Sequence, residues 1–367
     1  MKYPQARAGQ PLFISNSEFH FTFFPMRRTT RRWGLNAMIY AADPWATIHD
    51  AVAAAKSPDR DSAESFLRQA QEFYRAAEAS GAPEARPLLY YYGFMNLTKA
   101  LAIVRNRPNI VGKAVHGVAH DGNFGHTVNT AQLQVQVGNA NSVSVLDELH
   151  HALTGQSVPV ANVKVADLVI HSVVGHRLWV HALDRKERFI SIDAVNVVHN
   201  EVAKQVWATI TVPTDLLTRR DWSATNVLNL GRLTPDFRIV RSNAGSRVFE
   251  QVVPVTYTDR AADKVMDVVA ATRTHLWQTV TSSPPYRRYY LYLSQPNESR
   301  LPQIVSAYML LFWLGSLTRY RPVELLAALN GSLGGFFREF LATQPQQLLY
   351  MLASEFRQQE ISRAAVV

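Results

Sequence analysis

The sequence predicts an α+β protein, predominantly helical, with a β-rich antiparallel insertion in the middle of the chain. Three observations carry this. Two stretches, Pro87 to Val104 and Leu301 to Leu326, are apolar nearly all round, as buried helices are. Between Arg188 and about Tyr257 the apolar period changes to two, the alternation of half-buried strands. After residue 296 the pattern is helical again. The 367 residues fit two lobes or one large domain with an insertion. By segment the expectation is an extended basic arm (1–43), an N-terminal helical part (44–130), a mixed, β-rich middle (131–295) and a C-terminal helical part (296–367) packing on the N-terminal helices.

The apolar share of 47% is that of a chain able to bury a sizeable core. With no cysteine there are no disulfides, thiolate metal sites or cysteine nucleophile. A net charge of +9 favours an anionic partner such as a nucleic acid or nucleotide. The start, MKYPQARAGQPLFIS, lacks the charged-then-apolar pattern of a secretory signal. The 14-residue run Ile304 to Leu317 is shorter than the ~20 residues that span a bilayer, so no membrane association and a cytoplasmic home are expected.

In chain order, the arm alternates aromatics in FHFTFFPM and then places Arg27, Arg28, Arg31 and Arg32 beside Trp33. Guanidinium planes in such a cluster suit phosphates and base faces; a solvated surface paired with the chain's own acids is the competing reading. Asp43-Pro44 is an N-cap followed by proline at the first helical position, opening a helix through Ala55. A second helix spans Ser62 to Ala79, and Gly81-Ala82-Pro83 breaks it. The buried helix from Pro87 contains Asn96 and Lys99; Tyr92, Asn96 and Lys99 fall at i, i+4 and i+7 and share one face. A lysine there must either snorkel to solvent or find a partner.

Arg105 to Val128 reads as a loop rich in glycine and histidine, with His116, His120 and His126. Gly117, Gly122 and Gly125 oppose a continuous helix, and no HExxH occurs, so no metal is expected; glycine-permitted close approach at His116-Gly117 suits an anion or a base edge. QLQVQV, 132–137, is a half-exposed strand. Ser144 to Thr154 is a short helix ending at Gly155, and Val163 to Ala182 is helical, with its histidines scattered around the axis. FISIDAV, KQVWATITVPTDLL, DFRIVRS and SRVFEQVVPVTYT supply at least four strands. Asp259 to Thr274 returns to helix and RRYYLYLS, 287–294, to strand. The late apolar helix ends in Arg319-Tyr320-Arg321-Pro322, cations at its negative end. Pro322 to Ala328, Phe336 to Thr343 and Pro345 to Ser362 complete the helices.

YYGFMNLTKA, His116-Gly117 and the apolar helix ending in RYRP together resemble the YaaC-like family, bacterial proteins whose function is not established. The resemblance implies a helical protein with an inserted β-region and a cytoplasmic home, and supplies no mechanism. Tyr92, Asn96, Lys99, His116, Arg319 and Arg321 are the polar groups in or bounding the least polar segments. If the two buried helices pack together, they converge into a cationic pocket suited to phosphate. In the competing reading, the two arginines only cap carbonyls and pair with Glu324.

Three functions follow: binding of a nucleic acid or nucleotide at this pocket; a HEPN-like metal-independent ribonuclease; or a non-enzymatic, partner-binding subunit of a multiprotein, defence-type system, with a protein partner or a second copy on the β-rich middle. The ribonuclease class carries an R-x4-6-H pattern that is absent here, so only a pairing in space, such as His116 with Arg319, would serve it. No GxSxG, Walker A, GxGxxG or zincin pattern points to a hydrolase, NTPase, dehydrogenase or metalloprotease, no cofactor is implied, and whether any reaction is catalysed stays open.

Overall fold

The computed structural model describes residues 3–14, 16–25, 39–107, 110–123, 125–159, 161–242, 245–280, 289–296 and 298–363. Among them the chain forms twelve α-helices: α1 (Pro44–Ala53), α2 (Arg60–Ala79), α3 (Arg86–Val104), α4 (Val145–Thr154), α5 (Val165–Ile170), α6 (His176–Leu183), α7 (Thr214–Arg219), α8 (Ala224–Leu230), α9 (Val265–Arg273), α10 (Gln303–Tyr320), α11 (Pro322–Asn330) and α12 (Gly334–Arg357). With several antiparallel sheets beside these helices, the protein is α+β and fairly helical. Two compact units result, one of residues 1–40, 188–298 and 358–367, the other of 41–187 and 299–357. No helix of the described residues is long and apolar enough to cross a membrane.

The first unit is built on the alternating segments. Its main sheet runs in the order Gln10–Pro11, Ala194–Asn200, Gln205–Pro213, Ser246–Gln251, Phe237–Val240, with Val255–Thr256 also paired to Gln205–Pro213. Every pairing is antiparallel, with Val198 opposite Trp207 and Ile210 opposite Phe249. Period two puts Val206, Ala208, Ile210 and Val212 on one buried face, where Phe21, Phe23, Phe24 and the apolar side of α9 join them. Phe21 and Phe23 pack on Tyr289 with ring centroids 5.3 and 5.4 Å away. Glu250, 1% exposed, accepts from Arg238 Nη2 at 2.7 Å and from the Arg7 backbone N–H at 2.8 Å, so its buried charge is answered from two segments.

The second unit is the helical one. Asp43 caps α1 by accepting from the Trp45 N–H at 2.9 Å. α3 packs against both α2 and α10, which is why it is apolar on every side. Two glycines set these approaches: a Cβ on Gly93 would lie 3.3 Å from the Ala70 carbonyl oxygen of α2, and one on Gly315 of α10 would lie 3.4 Å from the Leu88 Cα of α3. The Thr318 hydroxyl donates to the Glu84 carbonyl at 3.1 Å, so the C-terminal end of α10 lies at the start of α3 and the pair runs antiparallel.

Two stretches differ from the sequence reading. Residues 163–182 are not one helix: a strand (Asn162–Lys164) and α5 are followed by a break at Gly175, whose φ of +82° no helix continues, and then by α6. The stretch 336–357 is one helix through Pro345, not two. Proline deletes one helical hydrogen bond, but Leu341, Gln344, Pro345, Leu348 and Leu349 are all buried, and that packing holds the axis continuous.

Candidate anion site at the α2–α3–α10 junction

Three contacts at regular helical spacing build one wall of the site. The Lys99 ammonium lies 5.1 Å from the Phe66 ring centroid. Asn96 Nδ2 donates to Gln69 Oε1 at 3.4 Å, and Tyr92 stacks on Phe73 at 5.6 Å. Residues 99, 96 and 92 of α3 thus descend against 66, 69 and 73 of α2, as the 3–4 spacing of two antiparallel helices requires. Lys99 Nζ also donates to Asn96 Oδ1 at 3.4 Å. The seven steps from Tyr92 to Lys99 cover about 10 Å of helix.

His116 reaches α3 from the loop that follows it. The Tyr91 hydroxyl and His116 Nδ1 are 2.6 Å apart, and the imidazole lies beside Phe312 of α10 at 6.2 Å. The loop is held on both sides of the histidine. Ala114–Val115 pairs in parallel with Val143–Ser144, and the Gln136 N–H donates to the Gly117 carbonyl at 2.9 Å. Gly117 has φ +76°, and a Cβ there would fall 2.0 Å from Ser144 Oγ, so only glycine fits. That same hydroxyl caps α4, accepting from the Asp147 N–H at 3.1 Å. From the end of α10, Arg319 Nη1 donates to the Tyr92 hydroxyl at 3.2 Å, its guanidinium 5.0 Å from the exposed Tyr320 ring.

The sequence profile that describes the YaaC-like proteins matches residues 22–356, nearly the whole chain. The chain belongs to the YaaC-like family. Neither curated proteins nor solved structures return a match.

In this YaaC-like chain the α3 and α10 residues singled out by sequence do meet. Arg319 contacts Tyr92, which shares a face of α3 with Asn96 and Lys99, while His116 contacts Tyr91 beside Tyr92 and feels the charges of Lys99 and Arg319. Arg321 diverges from these: the guanidinium lies 3.8 Å from Glu324 and acts on His120, which lies next to His126, with Nε2 to Nδ1 at 3.1 Å. Arg27, Arg28, Arg31 and Arg32 lie outside the described residues.

The electrostatics are one-signed. Desolvation holds the Lys99 ammonium below its ordinary basicity. His116 is depressed by partial burial first, then by the positive charges of Lys99 and Arg319, so its ring is neutral at pH 7. Burial pushes the Tyr91 phenol far above its ordinary range, with the Tyr308 hydroxyl adding to it. A phenol that keeps its proton donates to Nδ1, which leaves Nε2–H as the remaining donor of the neutral imidazole. Among the described residues, neither Lys99 nor Arg319 has a carboxylate oxygen within 4.0 Å, and no three metal-ligating side chains gather.

Sequence reasoning missed Tyr91 and the α2 residues Phe66, Gln69 and Phe73. Tyr91 sits in a run of three tyrosines, and only the packing of α10 and the His116 loop tells it from its neighbours. The matching of Phe66 and Phe73 to Lys99 and Tyr92 is a register that local pattern does not encode.

Proposed function

We propose that this YaaC-like protein binds the phosphate of a nucleic acid or nucleotide at Lys99, His116 and Arg319. The observation that supports this is the absence of any carboxylate within 4.0 Å of Lys99 or Arg319 among the described residues, although both cations act on His116. The two positive charges repel a proton on His116 and have no carboxylate among the described residues to offset them. A phosphate relieves that repulsion by accepting from the ammonium, the imidazole Nε2–H and the guanidinium fork. The exposed Tyr320 ring beside Arg319 adds a face on which a base stacks.

The test is retention of labelled RNA and DNA at low and high salt by the wild type and by a Lys99→Gln, Arg319→Ala double variant. Binding that weakens with salt is expected, with a slope shallower by roughly 0.7 to 0.9 for each lost phosphate contact. Equal retention by the folded double variant would sink the reading. Cleavage scored in the same samples tests the metal-independent ribonuclease, in which His116 and Arg319 would be the reacting pair. Retention of no nucleic acid by a folded wild type would leave the partner-binding subunit as the reading to pursue.

A further inference from the structure

The turn between α11 and α12 carries the only Asn-Gly dipeptide of the sequence, Asn330-Gly331. Asn330 ends α11, and Gly331 follows with φ −78° and ψ −172°, so the helix stops there. A Cβ on Gly331 would lie 2.7 Å from the Ala327 carbonyl oxygen, a close approach that suits only glycine. Both residues are exposed, and among the described residues the Gly331 N–H donates to no acceptor. Across the turn, Arg338 of α12 donates from Nη1 to Asn330 Oδ1 at 3.5 Å and has no carboxylate oxygen within 4.0 Å among the described residues.

We propose that Asn330 is a self-modifying site, converted in the folded protein to aspartate and isoaspartate through a cyclic imide closed by the Gly331 nitrogen. That backbone nitrogen loses its proton to solvent hydroxide and attacks Asn330 Cγ. The new N–C bond forms, the Cγ–Nδ2 bond breaks, and ammonia leaves with a proton taken from water. Water then opens the five-membered imide at either carbonyl, giving the ordinary or the isomerised peptide link; nothing is oxidised or reduced. Three features favour the step. Gly331 has no side chain to shield its nitrogen, and that nitrogen has no helical bond to break as Asn330 rotates towards it. Arg338 lies on the oxygen that gains negative charge as the nitrogen adds. Hydrolysis then leaves a carboxylate in the same place, for which Arg338 is the counter-ion. Gly331 also lines a cleft of about 220 Å³ with His126, Glu324 and Phe337, so the event adds a negative charge at the edge of that cleft.

The deciding experiment is peptide mapping by mass spectrometry of the whole folded chain after incubation in mildly alkaline buffer. Conversion at Asn330 is expected at least about tenfold faster than at Asn129, an exposed asparagine followed by threonine, a barrier difference of ~1.4 kcal/mol. Both products should form, and the reaction should slow in mildly acidic buffer because attack needs the deprotonated nitrogen. Arg338→Met should slow it a few-fold with melting unchanged. Gly331→Ala should stop it but also presses on Ala327, so the exposed Asn330→Gln, whose longer amide closes a ring far more slowly, is the variant that blocks conversion with the fold intact. Conversion at Asn330 no faster than at Asn129, or conversion only after the chain is unfolded in urea, overturns the site. Aspartate without isoaspartate overturns the cyclic imide. An unchanged rate in Arg338→Met overturns the part given to the arginine.

Discussion

Tyr91 and His116 share a hydrogen bond of 2.6 Å between residues from a buried helix and an exposed loop. Because burial keeps the phenol protonated, the bond fixes which imidazole nitrogen carries the ring proton and aims one donor of the anion site. Tyr91→Phe should cost about 1 kcal/mol of stability and weaken phosphate binding a few-fold. Nitrogen-resolved NMR of His116 checks the cause: the variant should populate both neutral tautomers, and an unchanged single tautomer would count against the positioning role of Tyr91.

Lys99 is held where its charge is disfavoured, partly desolvated, and its charge acts on His116. Lys99→Met keeps the length of the side chain and its contact with Phe66 while removing that charge. The expected result is a protein more stable by roughly 0.5–1.5 kcal/mol that binds phosphate less well. Chemical denaturation and a binding titration on the same preparation read both; a variant that loses stability would show that the ammonium contributes more through its cation–π contact and Asn96 than repulsion removes.

His116 and His120 are both depressed, His116 by burial and then Lys99 and Arg319, His120 chiefly by burial and then His126. The unfolded chain, with ordinary histidines near 6.5, therefore binds more protons than the folded chain just below that pH. Stability from these groups is present above about pH 6.5 and is lost as pH falls through their lower folded values. Melting curves between pH 8 and pH 5 should show this loss, and His116→Gln should shallow it. Phosphate held at the site favours the protonated imidazole, so its affinity should rise across the same descent.

Gly117 has a left-handed φ and no room for a Cβ against Ser144. Gly117→Ala should destabilise by about 2–3 kcal/mol and displace His116, abolishing the pH effect on binding. Gly122 also lies in the His116–Val128 segment, has no close neighbour at its Cβ position and no positive φ, so Gly122→Ala serves as the control that leaves melting and binding unchanged.

Glu250 anchors the sheet of the first unit. Glu250→Leu would leave Arg7 and Arg238 without their shared carboxylate and should lower stability by roughly 3–5 kcal/mol. Phosphate binding per folded molecule should be unaffected, because the site residues belong to the other unit.

What the sequence showed was mostly local. Asp43 at α1, and Ser144 with Gly155 at the two ends of α4, declare themselves by residue type, and the structure finds each cap in use. The strand at 205–213 was legible because β-branched and aromatic residues alternate there. Pro345 misled, since propensity argues for a break that tertiary burial overrides. Lys99 stood out because a charge in an apolar run is an anomaly at any register. That Arg319 meets Tyr92 depends on where α10 ends against α3, and no spacing within either segment records it, whereas the pairing of Arg321 with Glu324, three residues apart, was one of the two readings open to the sequence.

The antiparallel pairing of α3 with α10 also has a bearing on synthesis. The about 200 residues between His116 and Arg319 take on the order of 10–40 s to leave the ribosome at ~5–20 residues per second. Throughout that interval α3, apolar on every side, has α2 on one flank and nothing from α10 on the other. The nascent chain thus carries an uncovered hydrophobic helix for most of its translation, a ready client for a holding chaperone, until the last fifth of the protein emerges to close over it.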